Sequence, residues 1–494
     1  MQNSPEAVII GAGFGGIGAA IALKRIGIND LVILEREDDL GGTWHVNHYP
    51  GLAVDIPSTT YSYSFEPNPD WSRLFAPGAE LKRYAEHVAD TYDIRGYMRF
   101  GVSVESAQWD EELQRWRVST ADGQTLTPRY LIAATGFLSQ PHTPDIPGIT
   151  EFAGTIVHTT AWDDDLDFTG RKVAIIGTGA TAVQLIPELA KSVAELTVFQ
   201  RTPIWVVPKI DFAIPAPVRR LFGRIPLAQR AVRGVTDAIY EVIMIAGVLH
   251  FRQLNPLNRG VATLANLFRS TSVRDRRTRA ALAPDYDFGC KRPTYSNEYY
   301  RTFNKPNVSL RAAGIEQITA DGIDTVDGAH VEIDTLVLAT GFDLWDANFP
   351  AIEIIGREGR NLGKWWRDNR FQAYQGISVP MFPNLFNLAG PYSYSGLSYF
   401  TTIECEMIHM QRVLGEAQRR GATTVEVSER ANDEFLDTMT RKLQDTVFNA
   451  GDCSTSRSYY FNHAGEATLL RPTSTANAFH DAKTFPLTDY QYTG

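Results

Sequence analysis

One local pattern occurs twice in the chain, and it constrains the fold more than any other feature. Residues 8–20 read V-I-I-G-A-G-F-G-G-I-G-A-A and residues 173–183 read V-A-I-I-G-T-G-A-T-A-V. Each predicts a short apolar strand, a glycine-rich turn and the opening of a helix, the start of a βαβ unit. The expected fold class is therefore α/β, with two Rossmann-like dinucleotide-binding domains. In the first copy Gly11 allows the tight turn, Gly13 lets the backbone approach a pyrophosphate and Gly16 allows close helix–sheet packing. Gly177, Gly179 and Thr181 are the matching candidates in the second, where Ala182 takes the third glycine's place, a tolerated exchange. A pyrophosphate on such a turn meets the free N–H groups and dipole of a helix N-terminus.

The two copies differ where a nucleotide is told apart. Glu35 ends L-V-I-L-E, 24 residues after Gly11, where a carboxylate suits a ribose hydroxyl pair. Arg201 ends T-V-F-Q-R, also 24 residues after Gly177, and a guanidinium there suits a 2′-phosphate. The first turn is thus expected to bind FAD and the second NADPH.

Composition narrows the class further. A formal charge of −10 argues against general nucleic-acid binding, which needs a basic face. Cys290, Cys405 and Cys453 lie far apart with no C-x-x-C pair, and by spacing this excludes a disulfide framework, a zinc site and a dithiol redox pair; no metal is expected. A buried-strand pattern begins within eight residues of the start, leaving no room for a signal peptide. The longest apolar run, residues 242–249, is shorter than the roughly 20 residues of a membrane-spanning helix. The expectation is a soluble, cytoplasmic protein.

L-I-A-A-T-G-F and L-V-L-A-T-G-F, ending at Phe137 and Phe342, each read as a strand stopping beside a nucleotide. A β-hairpin is expected over residues 102–118. The expected order is a first FAD-domain part (1–145), a first NADPH-domain part (146–208), a helical insertion (209–288), a second NADPH-domain part (289–342) and a second FAD-domain part with a C-terminal loop (343–494). The insertion carries Arg219, Arg220, Leu221, Arg224, Arg230 and Arg233 at helical spacing. It is expected to form a solvated cap over the active site, and a basic amphipathic face of this kind also suits weak peripheral contact with a membrane or partner.

Residues 152–163 read F-x-G-x-x-x-H-x-x-x-W-D, residues 41–55 read G-G-x-W-x-x-x-x-Y-P-G-x-x-x-D, and residues 290–293 read C-K-R-P. This set resembles the type I Baeyer–Villiger monooxygenases, and the resemblance runs over nearly the whole chain. It implies hydride transfer from NADPH to FAD, a flavin peroxide formed with dioxygen, and oxygen insertion beside a ketone carbonyl to give an ester or lactone. By motif match Arg292 is the fixed cation of that step and Asp55 the carboxylate paired with it. Lys291 and Arg201 resemble the 2′-phosphate grip, with Thr202 as a hydroxyl donor, and Trp44 and Tyr49 are expected on the isoalloxazine pocket. His158 is expected to anchor the interdomain linker. The segment 384–396 leads into a helical pattern whose N-terminus can face the flavin. The family's loop tryptophan is absent from C-S-T-S-R-S-Y-Y-F-N at 453–462, leaving Arg457 or Tyr459 in its place.

The alternative with the same cofactors is a flavin monooxygenase acting on nitrogen or sulfur, which needs no activating arginine. A disulfide reductase of the same plan would need a cysteine pair beside the flavin. A non-catalytic flavoprotein would have no use for Arg201 and Arg292 together.

Overall fold

The computed structural model describes residues 4–494. Two parallel five-stranded sheets carry the chain. Strand β1 (Ala7–Ile10) leads through the first glycine-rich turn into helix α1 (Phe14–Arg25), then β2 (Leu31–Leu34), β3 (Met98–Arg99) and β4 (Tyr130–Ala133). The second sheet takes β5 (Thr155–His158), β6 (Lys172–Ile176), β7 (Glu195–Phe199), β8 (Val308–Arg311) and β9 (Thr335–Leu338). Strand β10 (Leu385–Asn387) then returns to the edge of the first sheet. The orders are β10-β4-β1-β2-β3 and β8-β7-β6-β9-β5. Every residue of β1, β2 and β4 is buried, because helices or loops cover both faces of a parallel sheet and select unbroken apolar runs.

An antiparallel hairpin, Val104–Asp110 with Arg115–Thr120, leaves the first sheet at the place the sequence predicts. Its Trp109 and Trp116 face each other across the strands, and the Trp116 indole N–H donates to the Pro383 carbonyl at 2.9 Å. That bond ties the hairpin to the returning C-terminal part. In the second sheet, helix α2 (Ala180–Leu189) follows the second turn.

Residues 209–288 hold helices α3 (Ala216–Arg224), α4 (Pro226–Tyr240) and α5 (Phe251–Ser272), with a shorter one at Arg276–Ala281. Helix α6 (Tyr399–Arg420) lies against α1 and starts from a Ser398 cap. Among the described residues no helix is long and apolar enough to cross a membrane.

The cysteine expectation needs correcting. Cys290 and Cys453 form a disulfide across 163 residues, with their Cα atoms 5.2 Å apart. Local spacing cannot reveal two cysteines that only the fold brings together. The bond joins the Cys-Lys-Arg-Pro loop to the start of the C-terminal loop.

Candidate active site

The two turns are built alike. Gly11 and Gly177 both have positive φ, +105° and +119°, and a Cβ on either would fall within 2.6 Å of the Ala134 or the Ala339 carbonyl oxygen. Those alanines begin the two A-T-G segments, so each segment packs against the first glycine of one turn. A Cβ on Gly16 would lie 1.9 Å from the Gly11 oxygen, which is the close helix–sheet packing expected there. Gly13 and Gly179 differ. A Cβ on Gly13 would meet nothing closer than 3.6 Å, and one on Gly179 nothing within 4 Å. Their missing side chains leave open room in front of helix N-termini that no side chain caps. That room suits an anionic group held by backbone N–H donors.

One cavity of about 1710 Å³ joins both turns. Gly11, Gly13, Glu35 and Trp44 lie on its wall at one end, and Gly177, Gly179, Thr181, Arg201 and Thr202 at the other. The Glu35 carboxylate accepts from the Ala12 N–H at 2.6 Å and the Glu37 N–H at 3.0 Å, which fixes it beside the first turn. Trp44 meets Tyr61 edge to face at 5.6 Å. Tyr49 is not on the wall. It is buried, and its hydroxyl lies 3.3 Å from Gln184 and 3.5 Å from Thr181, so it packs motif residues 41–55 onto α2.

Three cations converge at the second turn. Burial, followed by repulsion from Arg201, pushes the Lys291 ammonium down to about 8. Burial and then Arg457 likewise lower the Arg201 guanidinium. All three line the cavity, and their mutual repulsion marks a site prepared for an anion. Arg457, in the C-terminal loop, was readable only as a stand-in for the missing tryptophan; nothing in its spacing from Arg201 announces the meeting.

Arg292 and Asp55, 237 residues apart, form a two-pronged pair: Nε to Oδ2 at 2.7 Å and Nη2 to Oδ1 at 3.0 Å. The remaining arm, Nη1, donates to the Tyr394 hydroxyl at 2.7 Å. Burial works against the Arg292 charge, but the Asp55 carboxylate together with the Tyr394 and Tyr460 phenols outweighs it and holds the guanidinium pKa well above its ordinary value. About a quarter of each side chain stays open, 24% and 25%, at the junction of the large cavity with a smaller one lined by Tyr240, Val248, Leu249 and Tyr460. Tyr394 was missed because it sits in the segment 384–396, where the sequence signals only a turn. Burial pushes its phenol up to about 12, so it stays protonated.

His158 sits in the linker. Its Nδ1 pairs with Thr160 at 2.8 Å, and its Nε2 faces the Thr340 hydroxyl at 3.4 Å. Burial lowers its pKa, which favours the neutral ring. Trp162 stacks on Phe168 at 5.2 Å, a packing contact remote from Arg292 in sequence and absent from the cavity wall. Neither Cys290 nor Cys453 lines either cavity.

The family model for pyridine nucleotide-disulphide oxidoreductases matches residues 8–216. A Baeyer-Villiger monooxygenase of Streptomyces coelicolor is 37% identical over 486 residues, covering 98% of this chain and 92% of the relative. A cyclohexanone monooxygenase from Rhodococcus sp. Phi1 solved with NADP+ superposes with a TM-score of 0.88 at 28% identity, covering 99% of both chains. An OTEMO structure in complex with FAD and NADP gives 0.88 at 28% identity over 99% of this chain and 100% of that one.

Proposed function

The chain belongs to the Baeyer–Villiger monooxygenases, and we propose that Arg292, held between Asp55 and Tyr394, is the cation that serves its oxygen-inserting step. The enzyme uses FAD and NADPH and converts a ketone, dioxygen, NADPH and a proton into an ester or lactone, NADP+ and water. The bound cofactors supply the two electrons that activate dioxygen. The chain's residues hold and polarise.

Gly11, Gly13 and Gly16 shape the FAD turn, Glu35 takes the ribose hydroxyls, and Trp44 flanks the ring. Gly177, Gly179, Thr181 and Thr202 shape the NADPH turn. Arg201, Lys291 and Arg457 surround the 2′-phosphate, an anion whose charge relieves their repulsion. At the junction, the Arg292 guanidinium presents a permanent positive charge to the oxyanion that develops on the substrate carbonyl oxygen. Asp55 fixes the plane of the guanidinium, and Tyr394 holds its third arm. The 1–145, 146–208, 289–342 and 343–494 segments would act as the two nucleotide domains, and 209–288 as the insertion that walls the ketone pocket through Tyr240, Val248 and Leu249.

The observation that carries the assignment of Arg292 is the two-pronged pair with Asp55 at the cavity junction. Its test is Arg292→Ala assayed on a panel of linear, cyclic, aromatic and steroid ketones. Flavin reduction by NADPH should persist while ester formation falls roughly 100- to 1000-fold. Ester formation at the parent rate would remove Arg292 from the step.

A further inference from the structure

Helix α4 is amphipathic in the reverse sense. Three of its polar residues, spaced four apart, face the protein. The Gln229 amide donates to the Asn68 carbonyl at 2.6 Å, Arg233 donates to the Ser62 carbonyl at 2.9 Å, and Asp237 accepts from the Thr60 hydroxyl at 2.6 Å. Glu241, one turn beyond, accepts from the Thr475 N–H at 2.8 Å. The apolar residues therefore face outward: Leu227 is 73% exposed, Val235 62%, Ile239 50% and Val242 59%. Helix α5 also turns apolar side chains outward. Phe251, Asn258 and Ala265 are buried at seven-residue steps, the Asn258 amide donates to the Phe288 carbonyl at 2.7 Å, and Leu264 and Leu267 stand exposed.

An apolar stripe on a surface helix ordinarily faces the core, so two that face away mark a surface with an apolar partner. The concentration is high. Among the described residues, 14 of the 17 exposed large hydrophobic side chains fall between residues 210 and 267. None of the 14 lines either cavity.

Charge selects the partner. Residues 209–288 carry 13 Lys and Arg against 6 Asp and Glu, a net of +7 in a chain whose net is −10. Arg220, Arg224 and Arg230, exposed beside the apolar stripes, form no ion pair among the described residues. A second copy of this face would bring like charge against like charge. We propose that the outward face of α3, α4 and α5 docks on an anionic lipid bilayer, with the aliphatic side chains entering the acyl boundary and the arginines meeting lipid phosphates. The far end of α4 supplies Tyr240 to the pocket of Arg292, so the docked face adjoins the pocket where an apolar ketone leaving the bilayer would react.

The test is co-sedimentation of the FAD-loaded full chain with vesicles of phosphatidylcholine alone or mixed with phosphatidylglycerol, at low and high salt. Binding to the mixed vesicles should exceed binding to neutral ones by roughly tenfold or more and weaken with salt. Leu227→Ser with Val235→Ser should weaken it about tenfold. Arg220→Gln and Arg224→Gln should each cost about fivefold. All three variants should retain NADPH-driven flavin reduction, which shows that they fold. Failure to bind mixed vesicles, or binding that the serine pair leaves unchanged, overturns the proposal. So does a dimer in solution that the serine pair dissociates, because a second copy would then cover the face.

Discussion

Each of the three guanidinium nitrogens of Arg292 donates one hydrogen bond, two to Asp55 and one to Tyr394, and a quarter of its side chain faces open space. A guanidinium so held cannot swing away and cannot lose its proton at working pH. Asp55→Asn keeps the shape but removes the charge that orients the fork. It should slow ester formation roughly tenfold to a hundredfold while leaving flavin reduction by NADPH and the melting temperature near parent values. Loss of FAD with early melting would assign Asp55 to the turn at Ile56–Pro57 instead. Lys291 gives a pH signature. Its ammonium, depressed to about 8, is charged below that value and neutral above it. Attraction for the 2′-phosphate is therefore complete at lower pH and fades as pH rises through about 8, so the NADPH KM should rise there. With Lys291→Gln the rise should vanish, and a profile identical to the parent's would exclude Lys291 from the grip.

At the scale of elements, the two strand–turn–helix units were legible because glycine spacing answers to backbone geometry within a few residues. The structure adds why the A-T-G segments come in two copies: Ala134 and Ala339 pack on Gly11 and Gly177. Pairing of Asp55 with Arg292 was accessible only through motif resemblance, since 237 residues separate them. The contact of Tyr49 with α2 was not legible, because an aromatic beside a motif can turn to either side of its loop. In α4 the helical period was visible, but which stripe faces inward depends on Asn68, Ser62 and Thr60, far upstream. The glycines give a contrast at this scale. Gly13→Ala meets no protein atom closer than 3.6 Å, so the apoprotein should fold and melt normally but retain little FAD. Gly16→Ala collides with the Gly11 oxygen, so that variant should lose soluble folded protein as well. Normal FAD content in purified Gly13→Ala would mean that the backbone there does not approach the cofactor.

Across the whole molecule, one cavity spans both nucleotide turns, and the C-terminal loop closes part of its wall through Arg457 and Tyr459. The Trp345 indole N–H donates to the Tyr459 carbonyl at 2.9 Å, and the Cys290–Cys453 bond pins the loop's start beside Lys291 and Arg292. Sequence spacing gave no warning of that crosslink. Cys290→Ser with Cys453→Ser should lower the melting temperature, because a crosslink closing so long a loop restricts the unfolded chain by on the order of 4–5 kcal/mol. It should also raise the NADPH KM several-fold by loosening Arg457, read by steady-state NADPH oxidation. An unchanged KM would leave the bond a purely stabilising role.

The most direct test of the oxygen-inserting chemistry follows the oxygen itself. The enzyme is incubated with NADPH, a converted ketone and isotopically labelled dioxygen, and the product is weighed by mass spectrometry. One labelled atom should enter each ester or lactone, with one NADPH consumed, and NADH should substitute poorly. NADPH consumption that yields only hydrogen peroxide across the whole ketone panel would contradict it, as would label entering nitrogen or sulfur compounds but no ketone.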